Sequence, residues 1–474
     1  MRVKPLVPAK TKTNRQRIQS HQLHNIMKRS THALLASLLA VGLLAGVHFA
    51  AAETQGGGRS AEIIHEYTLP SFSLENFGYG PEELATAQAN GLTTTDRPAI
   101  GSGLQQLNGN HYISITDRGP TIDRTVPAGS KAFPLPRFNP TIVHFQVIND
   151  EIVPVNFLPI VNDLGQDVTG LPNGLFDDAP GYLTLTTPAI DRLPFNQDAL
   201  DTEDVHTLPG GGFILVEEYG PSVVIVSPTG NVLKRYTPEG KTWPEANYSV
   251  SDILPPVLME RRANRGFESI AMSADGRTAY TVMQSPLGST AAGSPYRDSL
   301  LVRIIRMDIS EPLDLQVTGQ FVVLMSSVDA YPAGNFPRDL KISAASWVSE
   351  DRLLFLERTD KLGPGGVNLG GAKLILVDLT EATDVTGLPA VVAEPLILEK
   401  VTTVLSDLGI TPATSRVVLD VNQELPSITD YKLEGLSILN ANTVSLSNDN
   451  DFGIGDSPNR ASKVYQILLS RPLR

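Results

Sequence analysis

The sequence predicts an all-β chain folded as a β-propeller of four-stranded blades, its ring closed by an N-terminal strand. Three observations carry that expectation. Five segments repeat one two-strand shape, two further strands follow most of them, and the last unit lacks a strand that the start of the mature chain can supply. Internal repetition of this kind marks architectures in which each unit buries its apolar face against the next.

The five units are GSGLQQLNGNHYISITDRG (101–119), DTEDVHTLPGGGFILVEEYG (201–220), GFESIAMSADGRTAYTVMQS (266–285), KISAASWVSEDRLLFLERTD (341–360) and KLEGLSILNANTVSLSNDND (432–451). Each reads as a short alternating strand, a tight polar turn and a second strand that ends on polar or charged residues. The turns are Asn108-Gly109, Gly210-Gly211, Asp275-Gly276, Glu350-Asp351 and Asn440-Ala441-Asn442. Most offer the Gly or Asn that hairpin positions with positive φ favour.

Outer strands are expected at 141–147 with 151–157, 222–227 with 232–236, 301–309 with 321–325, and 373–379 with 394–400. The fifth unit has only KVYQILL (463–469), while AEIIHEYTL (61–69) stands without a partner at the other end. Pairing those two leaves no open sheet edge. This gives five blades, with a sixth left open in residues 160–200 or 401–430. No long amphipathic helix is needed. Segments 72–99, 158–200, 285–300, 326–340, 358–371 and 401–430 are rich in Pro, Gly, Asp and Thr and read as long insertions. Loops of that length are usually functional or mobile.

Composition removes several function classes. The chain has 474 residues, 38 Lys+Arg against 51 Asp+Glu, and no Cys. That excludes a disulfide scaffold, Cys-ligated metal and a thiol nucleophile. Net acidity of -13 argues against nucleic acid as a partner, which demands a basic face. The charge is uneven: residues 1–52 hold eight basic residues and no acidic one, which leaves 30 basic against 51 acidic, or -21, for residues 53–474.

Lys28 and Arg29 precede an apolar run from Ala33 to Ala50 that ends in Ala50-Ala51-Ala52. A basic start, an apolar middle and small residues at the end are the features of an export signal. Residues 1–52 are therefore expected to be that signal, with Met27 an alternative start and a retained membrane anchor the competing reading. Residues 53–474 would form one mature domain, a periplasmic or extracellular monomer that is free of the membrane after cleavage.

The repeat also places charge. The second strand of a hairpin returns to the end where the first began, so strand-one starts and strand-two ends share a rim. The starts carry Ser102, Glu203 with Asp204, Glu268, Ser343 and Glu434; the ends carry Asp117 with Arg118, Glu217 with Glu218, Gln284, Glu357 with Arg358, and Asn448 with Asp449. About seven carboxylates would then meet at one channel mouth, where like charges raise one another's pKa unless a cation lies between them. Ca²⁺, which takes six to eight oxygen ligands, answers that need. The competing reading is a solvated rim that holds only water. Asp449, Asp451 and Asp456 in NDNDFGIGD add closely spaced oxygens, without full EF-hand spacing.

Arg118, Arg265, Arg303, Arg306 and Arg358 are candidate anion binders, since a guanidinium grips phosphate or carboxylate with two donors. Arg118 and Arg265 stand nearest the rim. There is no G-x-S-x-G, no H-E-x-x-H and no complete P-loop. The four histidines beyond the export segment, His65, His111, His144 and His206, all fall in expected strands. Of these, only His206 lies near a rim acid.

The blocks DTEDVHTLPGGGFILVEEYGPSVVIVSPTGNVLKRY, NRGFESIAMSADGRTAYTVMQSPL, KLEGLSILNANTVSLSNDNDFG and Thr116-Asp117-Arg118-Gly119 resemble those of the secreted bacterial phytase-like family, described as having esterase-like activity. The similarity spans nearly all of residues 61–470. It implies a propeller and, by analogy to alkaline phytases, calcium-assisted hydrolysis of phosphate esters. Block by block it implies roles for Asp117, Arg118, Glu203, Glu217, Glu218, Tyr219, Arg265, Glu268, Gln284, Glu434, Asn448 and Asp449. Glu357 and Arg358 would compensate for Ser343 in the fourth unit.

Glu203 and Glu268 with Arg118 and Arg265 are the expected catalytic residues. Asp117, Glu203, Glu217, Glu218, Glu268, Glu434, Asn448 and Asp449 are the expected metal ligands, and Arg118, Tyr219, Arg265, Gln284, Glu357 and Arg358 the expected substrate contacts. Three functions follow: a Ca²⁺-dependent phosphoesterase acting on a small phosphorylated ester, a lactone or carboxylic-ester hydrolase with the same metal site, or a non-catalytic binding propeller.

Overall fold

The computed structural model describes residues 61–473, apart from 128, 175–178, 187–188, 244, 360, 365–368, 431 and 455–460. The proposed export segment and Asp456 lie outside the described residues. The described chain is mostly β-sheet, with short helices such as Pro81–Ala89.

The strands group in fours, as the repeat requires. The first set is β2 (Gly103–Asn108), β3 (His111–Ile115), β6 (Thr141–Ile148) and β7 (Glu151–Pro159), with β4 (Ile122–Asp123) and β5 (Lys131–Ala132) forming a small ribbon in the loop between β3 and β6. The second is β8 (Thr202–Thr207), β9 (Phe213–Glu217), β10 (Ser222–Val226) and β11 (Val232–Pro238), extended by a parallel fifth strand, β12 (Ser249–Leu254). The third is β13 (Phe267–Met272), β14 (Thr278–Met283), β15 (Leu301–Asp308) and β16 (Gln316–Leu324). The fourth is β17 (Lys341–Ser349), β18 (Arg352–Thr359), β19 (Gly371–Asp378) and β20 (Thr414–Asp420). The last joins β21 (Leu433–Asn440), β22 (Thr443–Asn448) and β23 (Lys463–Leu469) to β1 (Ala61–Thr68), which pairs antiparallel with β23 over Ala61 to Thr68 and touches β7 in parallel at Thr68 and Glu151, so that the first and last sets run together as one eight-stranded sheet.

The leading strands β2, β8, β13, β17 and β21 contact one another in that order, and β21 contacts β2. Apolar clusters fill the spaces between sheets: Ile214, Val216, Phe267 and Phe355 belong to one, and Leu354, Leu436, Leu446 and Ile467 to another.

Two expectations need correcting. Residues 394–400 do not form the outer strand of the fourth set. They follow a short helix, Pro389–Ala393, as a run of turns, and Glu399 pairs with the buried Arg303. Leu398 joins Leu301, Val322 and Val385 in a small apolar cluster over the third set. The outer strand is instead β20, drawn from a segment expected to be loop. Residues 401–430 supply that single strand, and the described part of 160–200 contains only isolated bridges and one turn of 3-10 helix, so neither holds a further four-stranded sheet.

One irregularity recurs where it matters. The pairing of leading strand to second strand skips a single residue at Glu203, at Glu268, at Ser343 and at Glu434. A β-bulge leaves its extra residue out of the ladder and re-aims its side chain. Four sheets thus release the same position from pairing, and three of the four residues there are glutamates.

Candidate functional site

The bulged glutamates meet. Glu203 is electrostatically coupled to Glu268 and Glu434, as well as to Asp201 and Glu218. Asp201, Glu203 and Glu218 are all buried and each offers a carboxylate oxygen within 4.8 Å of the others. Arg118 pairs closely with Asp201 and stands 3.8 Å from Glu218. Arg358 pairs closely with Glu434 and reaches Glu268 at 4.0 Å. The ammonium of Lys432 lies 2.5 Å from Asp449 and 3.7 Å from Glu434. Asp117 completes the group through its coupling to Asp449, Lys432 and Arg118.

Backbone contacts hold these groups in place. The Asp201 carbonyl accepts from the Glu218 N–H at 2.8 Å, and its side chain accepts from the Arg118 N–H at 3.2 Å. Gly266 lies so close to the Glu218 carbonyl that a Cβ there would collide with it, and Gly170 does the same against Arg118. The absence of a side chain at these two positions lets the segments close on Glu218 and Arg118.

Seven carboxylates, Asp117, Asp201, Glu203, Glu218, Glu268, Glu434 and Asp449, face four cations, Arg118, Arg358, Lys432 and Lys341, the last acting on Glu268. The imbalance shows in their acidity. Burial, reinforced by Glu268, Asp201, Glu218 and Glu434, pushes Glu203 well above the ordinary carboxylate range. Burial likewise raises Asp201 and Glu434 against the opposing pull of Arg118 on the first and of Lys432 and Arg358 on the second. Glu268 is pushed up to about 7 by burial and Glu218, and Asp117 to about 7 by burial and Asp449. Asp449 is the exception: burial raises it, but Lys432 together with the Asp451 N–H and Glu434 holds it low.

Among the described residues several buried polar atoms lack a partner, and at this cluster they include two oxygens as well as the donor Arg118 Nε. Glu268 Oε2 and Gln284 Oε1 make no hydrogen bond, although their residues are only 2% and 4% exposed. The Gln284 amide is hydrogen-bonded to Glu268, which holds both groups at the cluster. Buried polar atoms are ordinarily satisfied, and an orphaned pair beside crowded carboxylates points to a missing cationic or donor group. The donors are all oxygen, so the arrangement could hold a metal ion.

Not every expected residue joins. Side chains alternate along a strand, and at three of the strand ends consecutive residues part company, whereas Asp117 and Arg118, which lie past the end of β3, both join the cluster. Glu218, Gln284, Arg358 and Asp449 belong to the cluster, whereas the preceding Glu217, Glu357 and Asn448 are engaged elsewhere. Glu217 forms a buried pair with Arg235 and accepts from Ser222 Oγ at 2.7 Å and from the Tyr219 and Gly220 N–H groups at 3.0 Å. Glu357 accepts from the Ser326 N–H at 2.9 Å and from Tyr331 Oη at 2.8 Å. Asn448 donates to Asp430 and the Ala461 carbonyl and accepts from the Lys463 N–H. These three carry sheet ends rather than a shared site.

Tyr219 stacks its ring under Arg118, 5.6 Å from the guanidinium carbon, and donates its hydroxyl to the Gly170 carbonyl. Arg265 donates to Ser285 Oγ at 2.6 Å and to the Leu340 carbonyl, beside Gln284. Arg303 is engaged by Glu399, and Arg306 by Thr318. His206 stands on β8, where burial pushes its pKa down to about 4.

Sequence reasoning missed Asp201 and Lys432. Each lies two residues before a bulged glutamate, Glu203 and Glu434 respectively, and that shared offset was the available signal.

A model of the family described as "Phytase-like: Esterase-like activity of phytase" matches residues 100–452. An "Uncharacterized secreted protein" of the fungus Arthroderma benhamiae is 29% identical over 147 residues, a match that spans 28% of this chain and only 28% of that relative. Among solved structures, a GH43 endo-arabinanase from Bacillus licheniformis is 9% identical, with 78% of this chain and 93% of that chain covered and a TM-score of 0.32. The PQQ-bound aldose sugar dehydrogenase from Streptomyces coelicolor is 10% identical, with 79% and 96% covered and a TM-score of 0.31. Among the described residues no helix is long and apolar enough to cross a membrane.

Proposed function

The chain belongs to the Phytase-like family, and from that premise we propose that it is an exported hydrolase that cleaves phosphate esters with the help of Ca²⁺ at the mouth of a five-bladed propeller. The observation that carries this reading is the buried Asp201–Glu203–Glu218 group, with Glu268 Oε2 and Gln284 Oε1 left without partners beside it. All of these donors are hard oxygens, which suits a hard cation. Asp201, Glu203 and Glu218 would hold the ion, with Glu268 and Gln284 at its margin. When bound, the ion supplies charge neutralisation and Lewis acidity at the phosphorus centre.

The chain's own residues supply the rest. Arg118, braced by Asp201 and the Tyr219 ring, and Arg265, braced by Ser285, would grip phosphate oxygens. Glu268 and Asp117, both titrating at about 7, can hold or release a proton near neutral pH, as a general acid for a leaving alkoxide must. Gln284 and Arg358 orient Glu268. No protein nucleophile is required, in keeping with a chain that lacks Cys and a G-x-S-x-G elbow. The mature protein would act as a monomer on a small-molecule ester in the periplasm or outside the cell, with neither nucleic acid nor membrane as partner.

The test is phosphate release from phytate and from p-nitrophenyl phosphate, with Ca²⁺ and with chelator. Release that chelator abolishes is the expected result. Lactone or carboxylic-ester turnover without phosphate release would reassign the substrate, and no turnover of any ester would leave a binding propeller.

A further inference from the structure

The acidic mouth is neutralised unequally. On the side of the last sheet, Lys432 Nζ lies 2.5 Å from Asp449 Oδ2, 2.5 Å from Asp451 Oδ1 and 3.7 Å from Glu434 Oε1. The Lys432 carbonyl accepts from the Asp449 N–H at 2.9 Å, so backbone and side chain are both fixed to the same partner. Asp449 is held low for that reason. On the side of the second sheet, by contrast, the oxygens of Asp201, Glu203 and Glu218 lie within 4.8 Å of one another. The cation there is Arg118, which touches Asp201 and stands 3.8 Å from Glu218. Among the described residues no cation stands within ion-pair distance of Glu203. The orphaned Glu268 Oε2 and Gln284 Oε1 belong to this neighbourhood, since Glu268 is coupled to both Glu203 and Glu218.

We propose that the ammonium of Lys432 is a built-in cation standing where a second metal ion would otherwise bind, so that the mouth takes one divalent cation per chain, on Asp201, Glu203 and Glu218. A divalent ion needs several oxygens at roughly 2.3–2.6 Å, and an ammonium centred on Asp449 and Asp451 already sits at that range. An ion could enter there only by displacing Lys432 from Asp449, because two cations a few ångströms apart repel. The other side is covered less completely: Arg118 touches Asp201 and stands 3.8 Å from Glu218, but among the described residues no cation lies within ion-pair distance of Glu203, so the three oxygens within 4.8 Å of one another keep an open side at Glu203 where one ion can be shared, with two further unpartnered oxygens in the same neighbourhood.

The inference rests on the reading of the mouth as a cation site, and its test counts ions, whereas the test of that reading measures turnover. The full mature chain is stripped with chelator and dialysed to equilibrium against CaCl₂, and bound ions per chain are counted by elemental analysis and by calorimetric titration. One Ca²⁺ per chain is expected, none in Glu203→Gln, one in Lys432→Arg and two in Lys432→Met. Two or more ions in the wild type, or one in Lys432→Met, would overturn the proposal. Should Lys432→Met fail to fold, Asp451→Asn decides: its count stays at one if Lys432 is the resident cation and falls if Asp451 ligates an ion. An empty wild-type mouth would sink both this inference and the metal-assisted function, while one bound ion without hydrolysis would sink only the function.

Discussion

Glu217 and Glu218 are consecutive buried carboxylates, and they do opposite things. Glu217 has every oxygen engaged: Arg235, Ser222 and two backbone N–H groups point at it. Arg235 is equally complete, with donors to Ser222, the Ala199 carbonyl and Tyr248, and the Trp243 ring 4.1 Å from its guanidinium carbon. Glu218 meets Asp201 and Glu203 instead, with one cation at 3.8 Å. A buried charge whose partners are all in place is part of the scaffold, whereas a crowd of like charges with orphaned neighbours is held together by the fold for another purpose. The completeness of the surrounding bonds, more than burial itself, separates Glu217 from Glu218.

The largest effect that would break this contrast is on the scaffold side. Glu217→Ala strands Arg235 in the interior, and removing one partner of a buried pair costs about 3–5 kcal/mol. Chemical denaturation should show that loss; a change below about 1 kcal/mol, the worth of a surface pair, would put Glu217 in the same class as its neighbour. Glu203→Gln should behave inversely. Hydrolysis should fall by about 10²-fold or more, the scale of losing one electrostatic contact to the reacting centre. The melting temperature of the metal-free protein should hold or rise, because a neutral amide relieves repulsion among Glu268, Asp201, Glu218 and Glu434.

A smaller effect is the pH dependence of stability. Glu268 and Asp117 titrate at about 7 in the fold, against ordinary values of 4.5 and 3.8. Between those limits the native state binds more protons than the unfolded chain, so its stability falls as pH rises. The contribution is whole below the unfolded values and is lost by the time the pH passes 7. Asp449, held low by Lys432, contributes in the opposite sense, but it stands against Glu203, Asp201 and Glu434 as well. Chelated protein should therefore melt at progressively lower temperature from pH ~4 to ~7, and saturating Ca²⁺ should flatten that slope. A melting temperature that climbs toward neutrality in chelator would mean the mouth is not crowded with acids.

The sheets were legible because alternation and turn chemistry act locally. Asn108-Gly109 joins β2 to β3, and Asp275-Gly276 lies in the turn between β13 and β14, as expected. Glu203, Glu268 and Glu434 were legible as a set because repetition puts equivalent residues in equivalent places. The bulges that free them were not, since a one-residue register skip leaves no mark on composition. EPLILEK was read as a strand because three apolar residues in a row suit either a strand or a loop capping an apolar cluster, and the cluster with Leu301 and Val322 decided it. Asp201 and Lys432 escape the repeat because its alternation begins with the strand and leaves the two residues before it unmarked. The pairs Glu217–Glu218 and Glu357–Arg358 offered two candidates each, and only the register fixes which one turns toward the mouth.

That last ambiguity can be tested where the expected change is smallest. Glu357→Gln keeps one carbonyl oxygen to accept from either the Ser326 N–H or Tyr331 Oη, and it loses the charge shared between them. Losing one such bond costs about 0.5–1.5 kcal/mol. Ca²⁺ binding and hydrolysis should stay at the wild-type level, since the side chain points away from Glu434 and Glu268, to which the next residue, Arg358, is bound. If Glu357→Gln instead lowered Ca²⁺ affinity as Glu203→Gln does, β18 would be delivering both Glu357 and Arg358 to one site, as the segment after β3 does with Asp117 and Arg118, and alternation within β18 could not be what separates the two.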